Sequence, residues 1–207
     1  MKKIIKKIVM TIKIGINGMG RIGRMVVRSI IESKKKNIKI QHINNRSNSE
    51  TCCKLIKYDS VHGKFNANLD FGKNHLIINK HKITFSQESK IENINWKKYG
   101  VDYVLECTGK FNSKEKLKNH INNGAKKVVV SAPCKNADKT IVFGVNENII
   151  TKKDQIISAA SCTTNCLAPV VKVLHENFKI EKGFMTTIHA FTSDQRILDN
   201  SHKDLRR

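Results

Sequence analysis

The residues best placed to do chemistry lie together in one stretch, Ser158 to Pro169, which reads S-A-A-S-C-T-T-N-C-L-A-P. Upstream, Asp154 to Ala160 reads as a buried strand running into small residues. Ser161 is then an N-cap for a helix carrying Leu167, Val170, Val171, Leu174 and Phe178 at helical spacing. This places the Cys162 sulfur in the first helical turn, where free N–H groups and the positive end of the helix dipole favour thiolate over thiol. A lone cysteine is also a common inert core residue. The polar residues that follow, Thr163, Thr164 and Asn165, favour a nucleophile beside an anion pocket. Pro169 is expected to kink this helix or shorten its first part.

A base for such a thiol is sought downstream. After Gly183, the run F-M-T-T-I-H-A-F-T from Phe184 to Thr192 reads as a strand, with Met185, Thr187, His189 and Phe191 on one face. A single histidine there is either a structural residue or the partner of the sulfur.

The segments A-S-C-T-T-N-C-L-A-P and M-T-T-x-H-A resemble those of the glyceraldehyde-3-phosphate dehydrogenases. That resemblance implies Cys162 as nucleophile and His189 as its catalytic partner. It implies Ser161, Thr163 and Thr192 as ligands of the substrate phosphate or the attacking phosphate. The implied reaction is oxidation of glyceraldehyde 3-phosphate, with inorganic phosphate, to an acyl phosphate through a Cys thioester. Cys166, one helical turn after Cys162, reads as a packing thiol, with a redox pair as the alternative.

The elements that would position these groups begin with a strand, Ile12 to Ile16. The turn Gly18-Met19-Gly20-Arg21-Ile22-Gly23 follows, then an amphipathic helix with Val26, Val27, Ile30 and Ile31. G-x-G-x-x-G at a strand end, ahead of a helix and of a second strand over Ile38 to Asn44, marks a dinucleotide site. Gly18, Gly20 and Gly23 supply the tight turn, the close approach to a pyrophosphate and the close helix–strand packing. The same stretch resembles the family's G-I-N-G-M-G-R-I-G-R, which implies Arg21 and Ile22 against the cofactor diphosphate. A site for NAD usually carries Asp or Glu at the end of the second strand. Here Asn45 and Arg46 stand there, so NAD is expected and NADP stays open. The resemblance further implies that Ser131, at the end of the strand Val128–Val130, contacts the nicotinamide side. Lys80-His81 is expected at a hairpin turn, and Val101 to Glu106 forms another strand.

The expected fold is α/β: a Rossmann-type parallel sheet over residues 11–160, then the truncated start of an α+β catalytic domain over 161–207. Residues 1–10 are expected to be a basic extension. Gly18, Ser131 and Cys162 all follow strand ends, so one crevice is expected to hold cofactor and nucleophile. The chain stops at Ser201–Arg207, inside the loop after His189, whereas the family continues. A catalytically incomplete dinucleotide-binding module is therefore the alternative reading, and erythrose-4-phosphate is the alternative substrate.

There are 39 Lys+Arg against 17 Asp+Glu, a net charge of +22. The basic residues are scattered without interleaved aromatics, which describes a solvated lysine surface rather than a nucleic-acid site. Six cysteines with no CxxC pair point to reduced thiols in a cytoplasmic protein and to no metal site. No apolar run reaches the length of a membrane span. The resemblance implies a homotetramer.

Overall fold

Isoleucines at alternate positions, Ile12, Ile14 and Ile16, make Ile12–Asn17 the first strand, β1, buried from Ile14 onward. The protein is described by a computed structural model covering residues 11–192 and residue 195. The basic extension 1–10 and the closing loop 201–207 lie outside the described residues. After the glycine turn come helix α1 (Arg21–Glu32), strand β2 (Ile38–Asn44) and helix α2 (Ser49–Lys57). Asn48 caps α2, its side-chain oxygen accepting the Thr51 N–H at 2.8 Å. A small ribbon follows, β3 (Tyr58–Asp59) against β4 (Gly63–Lys64).

Strands β5 (Leu69–Gly72), β6 (His75–Ile78) and β7 (His81–Ser86) then run as an antiparallel meander. The hairpin between β6 and β7 turns at Asn79-Lys80, one residue earlier than expected. Both residues take positive φ, 48° and 72°, the left-handed pair that matches the twist of a two-residue hairpin. The chain continues through β8 (Tyr103–Glu106), α3 (Lys114–Asn122), β9 (Lys127–Val130), β10 (Lys139–Thr140), β11 (Ile156–Ser158) and α4 (Cys162–Phe178).

Nine of these strands form one sheet in the order β10-β11-β9-β8-β1-β2-β7-β6-β5. Every pairing from β10 through β7 is parallel, and β6 and β5 are antiparallel additions. The parallel α/β sheet expected from the alternation of strands and helices is therefore present. Two apolar clusters hold it. One joins Val27 of α1 and Ile56 of α2 to Ile16, Ile43 and Ile83 of the sheet. The other joins Leu117 of α3 and Trp96 to Val104, Val128 and Ile156.

Two expectations change. The strand foreseen over Phe184–Thr192 is absent: residues 179–192 have no regular secondary structure. A strand exists through its ladder to a partner, and no other strand pairs with this segment among the described residues. Helix α4 also extends from Cys162 to Phe178 with Pro169 inside it, so the proline does not shorten it. The apolar residues expected along α4 do share helical spacing, but none is buried.

The chain divides into two compact units, Met1–Pro169 and Val170–Arg207.

Candidate active site

The carboxyl ends of β1, β2 and β8 border a crevice lined by Gly18, Gly20, Asn45, Arg46, Cys107 and Thr108 among others. The glycines fit a dinucleotide in three different ways. Gly18 has φ +94°, and a Cβ on it would lie 2.8 Å from the Thr108 backbone nitrogen. A Cβ on Gly23 would come within 2.0 Å of the Gly18 carbonyl oxygen, so only glycine lets α1 start this close to β1. A Cβ on Gly20 would meet nothing within 4 Å: this is the open side by which a pyrophosphate reaches the backbone. Gly20 also begins α1 without a side-chain cap, and no acid stands in the first turn, which leaves a helix N-terminus for an anion.

Asn45 borders the crevice, but its amide is engaged. Its oxygen accepts the Met19 N–H at 3.0 Å, and its NH2 group lies 3.2 Å from the Cys52 sulfur. Burial raises the Cys52 thiol to about 11 against the opposing pull of Asn45 and Arg24. Arg21 and Ile22 do not line the crevice. The Arg21 guanidinium sits on Asp59 at 3.1 Å, with a second nitrogen 3.4 Å from Nδ1 of His62. The His62 backbone N–H, then the Val61 N–H and Arg21, hold the Asp59 carboxyl far below the usual carboxylate range. Ser131 does not line the crevice; it acts on Cys107, which does, pulling that thiol down against the effect of burial. Burial raises that thiol to about 11.

A second cleft adjoins this crevice. Lys110 and Phe111 line the first, and the next two residues, Asn112 and Ser113, line a second with Lys135, Thr140, Ser161 and Thr164. One loop between β8 and α3 thus walls both. In the second cleft, Ser161 caps α4 as its sequence suggested. Its hydroxyl oxygen accepts the Thr164 N–H at 2.9 Å and lies 2.7 Å from the Thr164 hydroxyl. Asn165 ties the same turn back to the Ala159 carbonyl at 2.7 Å. Ala160 takes φ +61°, a costly conformation for a residue with a Cβ, and so turns the chain sharply from β11 into α4. Cys162 is the first residue of that helix and is exposed. None of the six cysteines is joined in a disulfide.

Thr163 follows Cys162 in the first turn of α4. His189 and Thr192 belong to the second unit. The His189 ring nitrogen Nδ1 lies 2.6 Å from the Ala190 carbonyl oxygen. A carbonyl only accepts, so Nδ1 carries the proton in that contact.

A family model described as "Glyceraldehyde 3-phosphate dehydrogenase, NAD binding domain" matches residues 12–114, and the corresponding C-terminal domain model matches residues 161–207. The chain belongs to the glyceraldehyde-3-phosphate dehydrogenase family. It is 50% identical over 199 residues to a glyceraldehyde-3-phosphate dehydrogenase of Geobacillus stearothermophilus, covering 96% of this chain and 59% of that protein. It is likewise 50% identical over 199 residues to glyceraldehyde-3-phosphate dehydrogenase 2 of Bacillus subtilis, covering 96% and 58%. To the Thermotoga maritima enzyme it is 48% identical over 195 residues, covering 94% and 59%. The chain therefore spans about three-fifths of the length of these relatives.

Sequence reasoning missed the buried polar network under the crevice. Asn44 donates to Asn17 at 2.9 Å, Asn17 donates to Glu106 at 2.6 Å, and Nε2 of His120 lies 3.0 Å from the same carboxylate oxygen. Trp96 donates its indole N–H to His120 Nδ1 at 2.8 Å. Nδ1 is therefore the acceptor, and Nε2 donates to Glu106. The other Glu106 oxygen receives the Thr108 N–H at 2.8 Å and the Thr108 hydroxyl. The available signal was a polar residue closing each apolar strand: Asn17, Asn44 and Glu106. No helix among the described residues is long and apolar enough to cross a membrane.

Proposed function

We propose that this chain carries the cofactor site and the nucleophile of a phosphorylating glyceraldehyde-3-phosphate dehydrogenase using NAD. Residues 11–160 are its dinucleotide-binding domain, and residues 161–207 begin its catalytic domain. The observation that carries the proposal is Cys162 opening a capped, solvent-reached helix after the carboxyl end of β11, in the same parallel sheet whose β1 carboxyl end carries the glycine turn.

Cys162 attacks the aldehyde carbon of glyceraldehyde 3-phosphate and forms a hemithioacetal. His189 takes the hydroxyl proton as the carbon is oxidised to a thioester on Cys162. NAD, when bound, supplies the two-electron acceptor for the hydride released in that step. Inorganic phosphate then attacks the thioester carbonyl, an acyl phosphate leaves, and the Cys162 thiolate returns. Ser161, Thr163 and Thr192 bind the phosphate groups; the helix start contributes N–H donors and its dipole. Gly18, Gly20 and Gly23, with the backbone N–H groups of Arg21 and Ile22 that open α1 rather than their side chains, hold the diphosphate side of NAD, and Ser131 the nicotinamide side. The working assembly is a cytoplasmic homotetramer, as the resemblance implies.

The test is NADH formation, followed by absorbance, from glyceraldehyde 3-phosphate, NAD and inorganic phosphate. Cys162→Ser is expected to abolish it. Turnover that survives this substitution, or that ignores phosphate, rejects the mechanism. NAD binding without turnover marks the chain as a binding module, and faster oxidation of erythrose 4-phosphate reassigns the substrate.

A further inference from the structure

In a βαβ nucleotide-binding unit, the residue at the carboxyl end of the second strand decides between two adenosine riboses. An acid there accepts hydrogen bonds from ribose hydroxyls and repels a 2′-phosphate, whereas a nearby arginine accommodates that phosphate. Here β2 ends in Asn44 and is followed by Asn45 and Arg46. Neither asparagine amide is spare. Asn44 holds Asn17, Ser86 and Glu88, and Asn45 holds the Met19 N–H and faces the Cys52 sulfur.

Arg46 differs. Its backbone is fixed, with the carbonyl accepting from Gln87 at 3.2 Å and the preceding Asn45 N–H bonded to Ser86 at 3.0 Å. Its side chain is exposed at the crevice that Gly18 and Gly20 line. None of the six ion pairs among the described residues includes Arg46. The ionic side chains of the crevice lining are Arg46, Lys110 and Glu88, two positive against one negative. The lining thus favours the more highly charged of two dinucleotides.

We propose that Arg46 is a contact for the 2′-phosphate, so that this chain binds NADP as well as NAD. Asn45 is a positioning residue that braces the glycine turn rather than a ribose ligand. The inference rests on the dinucleotide reading above, and it concerns only the adenosine end of that site.

Calorimetric titration of the 207-residue chain with NAD and with NADP tests it without turnover. Ionic strength is held constant, because a lysine-rich surface attracts anions generally. The expected Kd for NADP lies within about tenfold of that for NAD. Arg46→Ala should weaken NADP about tenfold or more and NAD less than about threefold, the scale of a lost charge-assisted hydrogen bond. Asn45→Asp should weaken NADP selectively. A wild-type preference for NAD above about tenfold overturns the proposal. So does an Arg46→Ala loss equal for both dinucleotides, which assigns Arg46 to the shared diphosphate. Recovery of NADP binding in Glu88→Gln, from a wild type that lacks it, makes Glu88 the excluding acid and also overturns it. If neither dinucleotide binds, the dinucleotide reading itself falls, an outcome distinct from NAD binding alone.

Discussion

Asn17 and Glu106, 89 residues apart in sequence, meet at 2.6 Å where β1 and β8 end side by side. Four donors converge on that one buried carboxylate: the Asn17 amide, the His120 Nε2–H, and the Thr108 N–H and hydroxyl. The contact with Thr108 fixes the turn that walls the crevice and packs against Gly18. Glu106→Gln replaces one acceptor oxygen with an NH2 group facing donors. It should cost about 3 kcal/mol of stability, since a hydrogen bond to a charged group contributes roughly 1.5–3 kcal/mol. Urea denaturation followed by emission of the single tryptophan, Trp96, which donates into the same network, measures it. A loss below about 1 kcal/mol would show the network to be dispensable.

The three glycines of the turn should separate stability from binding. Gly23→Ala drives a Cβ into the Gly18 carbonyl at 2.0 Å and should destabilise by about 1–3 kcal/mol or more through overpacking. Gly20→Ala meets open space at an ordinary φ of −67°. It should leave the melting temperature nearly unchanged while weakening NAD binding about tenfold, because the methyl occupies the pyrophosphate approach. Equal melting losses for the two variants would contradict this geometry.

Burial lowers His42 from 6.5 to about 3, as it sits stacked on Tyr99 at 3.6 Å between Thr84 and Ser86. The unfolded chain takes up this proton below pH 6.5 and the folded chain does not. The associated stability is complete above pH 6.5 and is lost as pH falls towards about 3. Between pH 6.5 and pH 5 the native protein should lose about 2 kcal/mol through this group. His42→Gln should remove that part of the slope in denaturation series at the two pH values, and an unchanged slope would contradict a neutral buried imidazole.

A second acid limb lies lower. Burial pushes the Asp138 carboxyl up, but Lys114 and the Ile156 and Gln155 N–H groups outweigh it and bring it down to about 2. Its contribution is present above the unfolded value of 3.8 and disappears as pH falls through about 2. Asp138→Asn should flatten the stability curve only below about pH 4 and leave the His42 limb intact.

Thiol labelling should follow exposure. Cys162 and Cys166 are exposed, whereas Cys52 and Cys107 are buried with thiols raised to about 11. Iodoacetamide at pH 8, with peptide mapping, should modify the α4 pair first, and Cys52 and Cys107 only once urea unfolds the sheet. Early modification of Cys107 would place the crevice wall elsewhere.

Local chemistry is legible in the residues themselves. The run from Ile12 to Gly23 is a strand, turn and helix because glycine spacing and apolar periodicity act within a dozen residues. The Ser161 cap, three residues from the N–H it accepts, is equally local. The segment 184–192 failed that test, because apolar alternation only permits a strand and a neighbouring chain must complete it.

By itself, then, the sequence determined the parallel α/β order, the glycine turn and the position of Cys162 at a helix start, all of which arise from neighbours along the chain. Only the tertiary structure decided that the Asn45 amide is committed to Met19 and Cys52 while Arg46 borders the crevice. It alone gathered Asn17, Glu106, His120 and Trp96 into one buried network. Partners so distant in sequence leave no periodic trace; they meet because burial requires every polar group to find a mate.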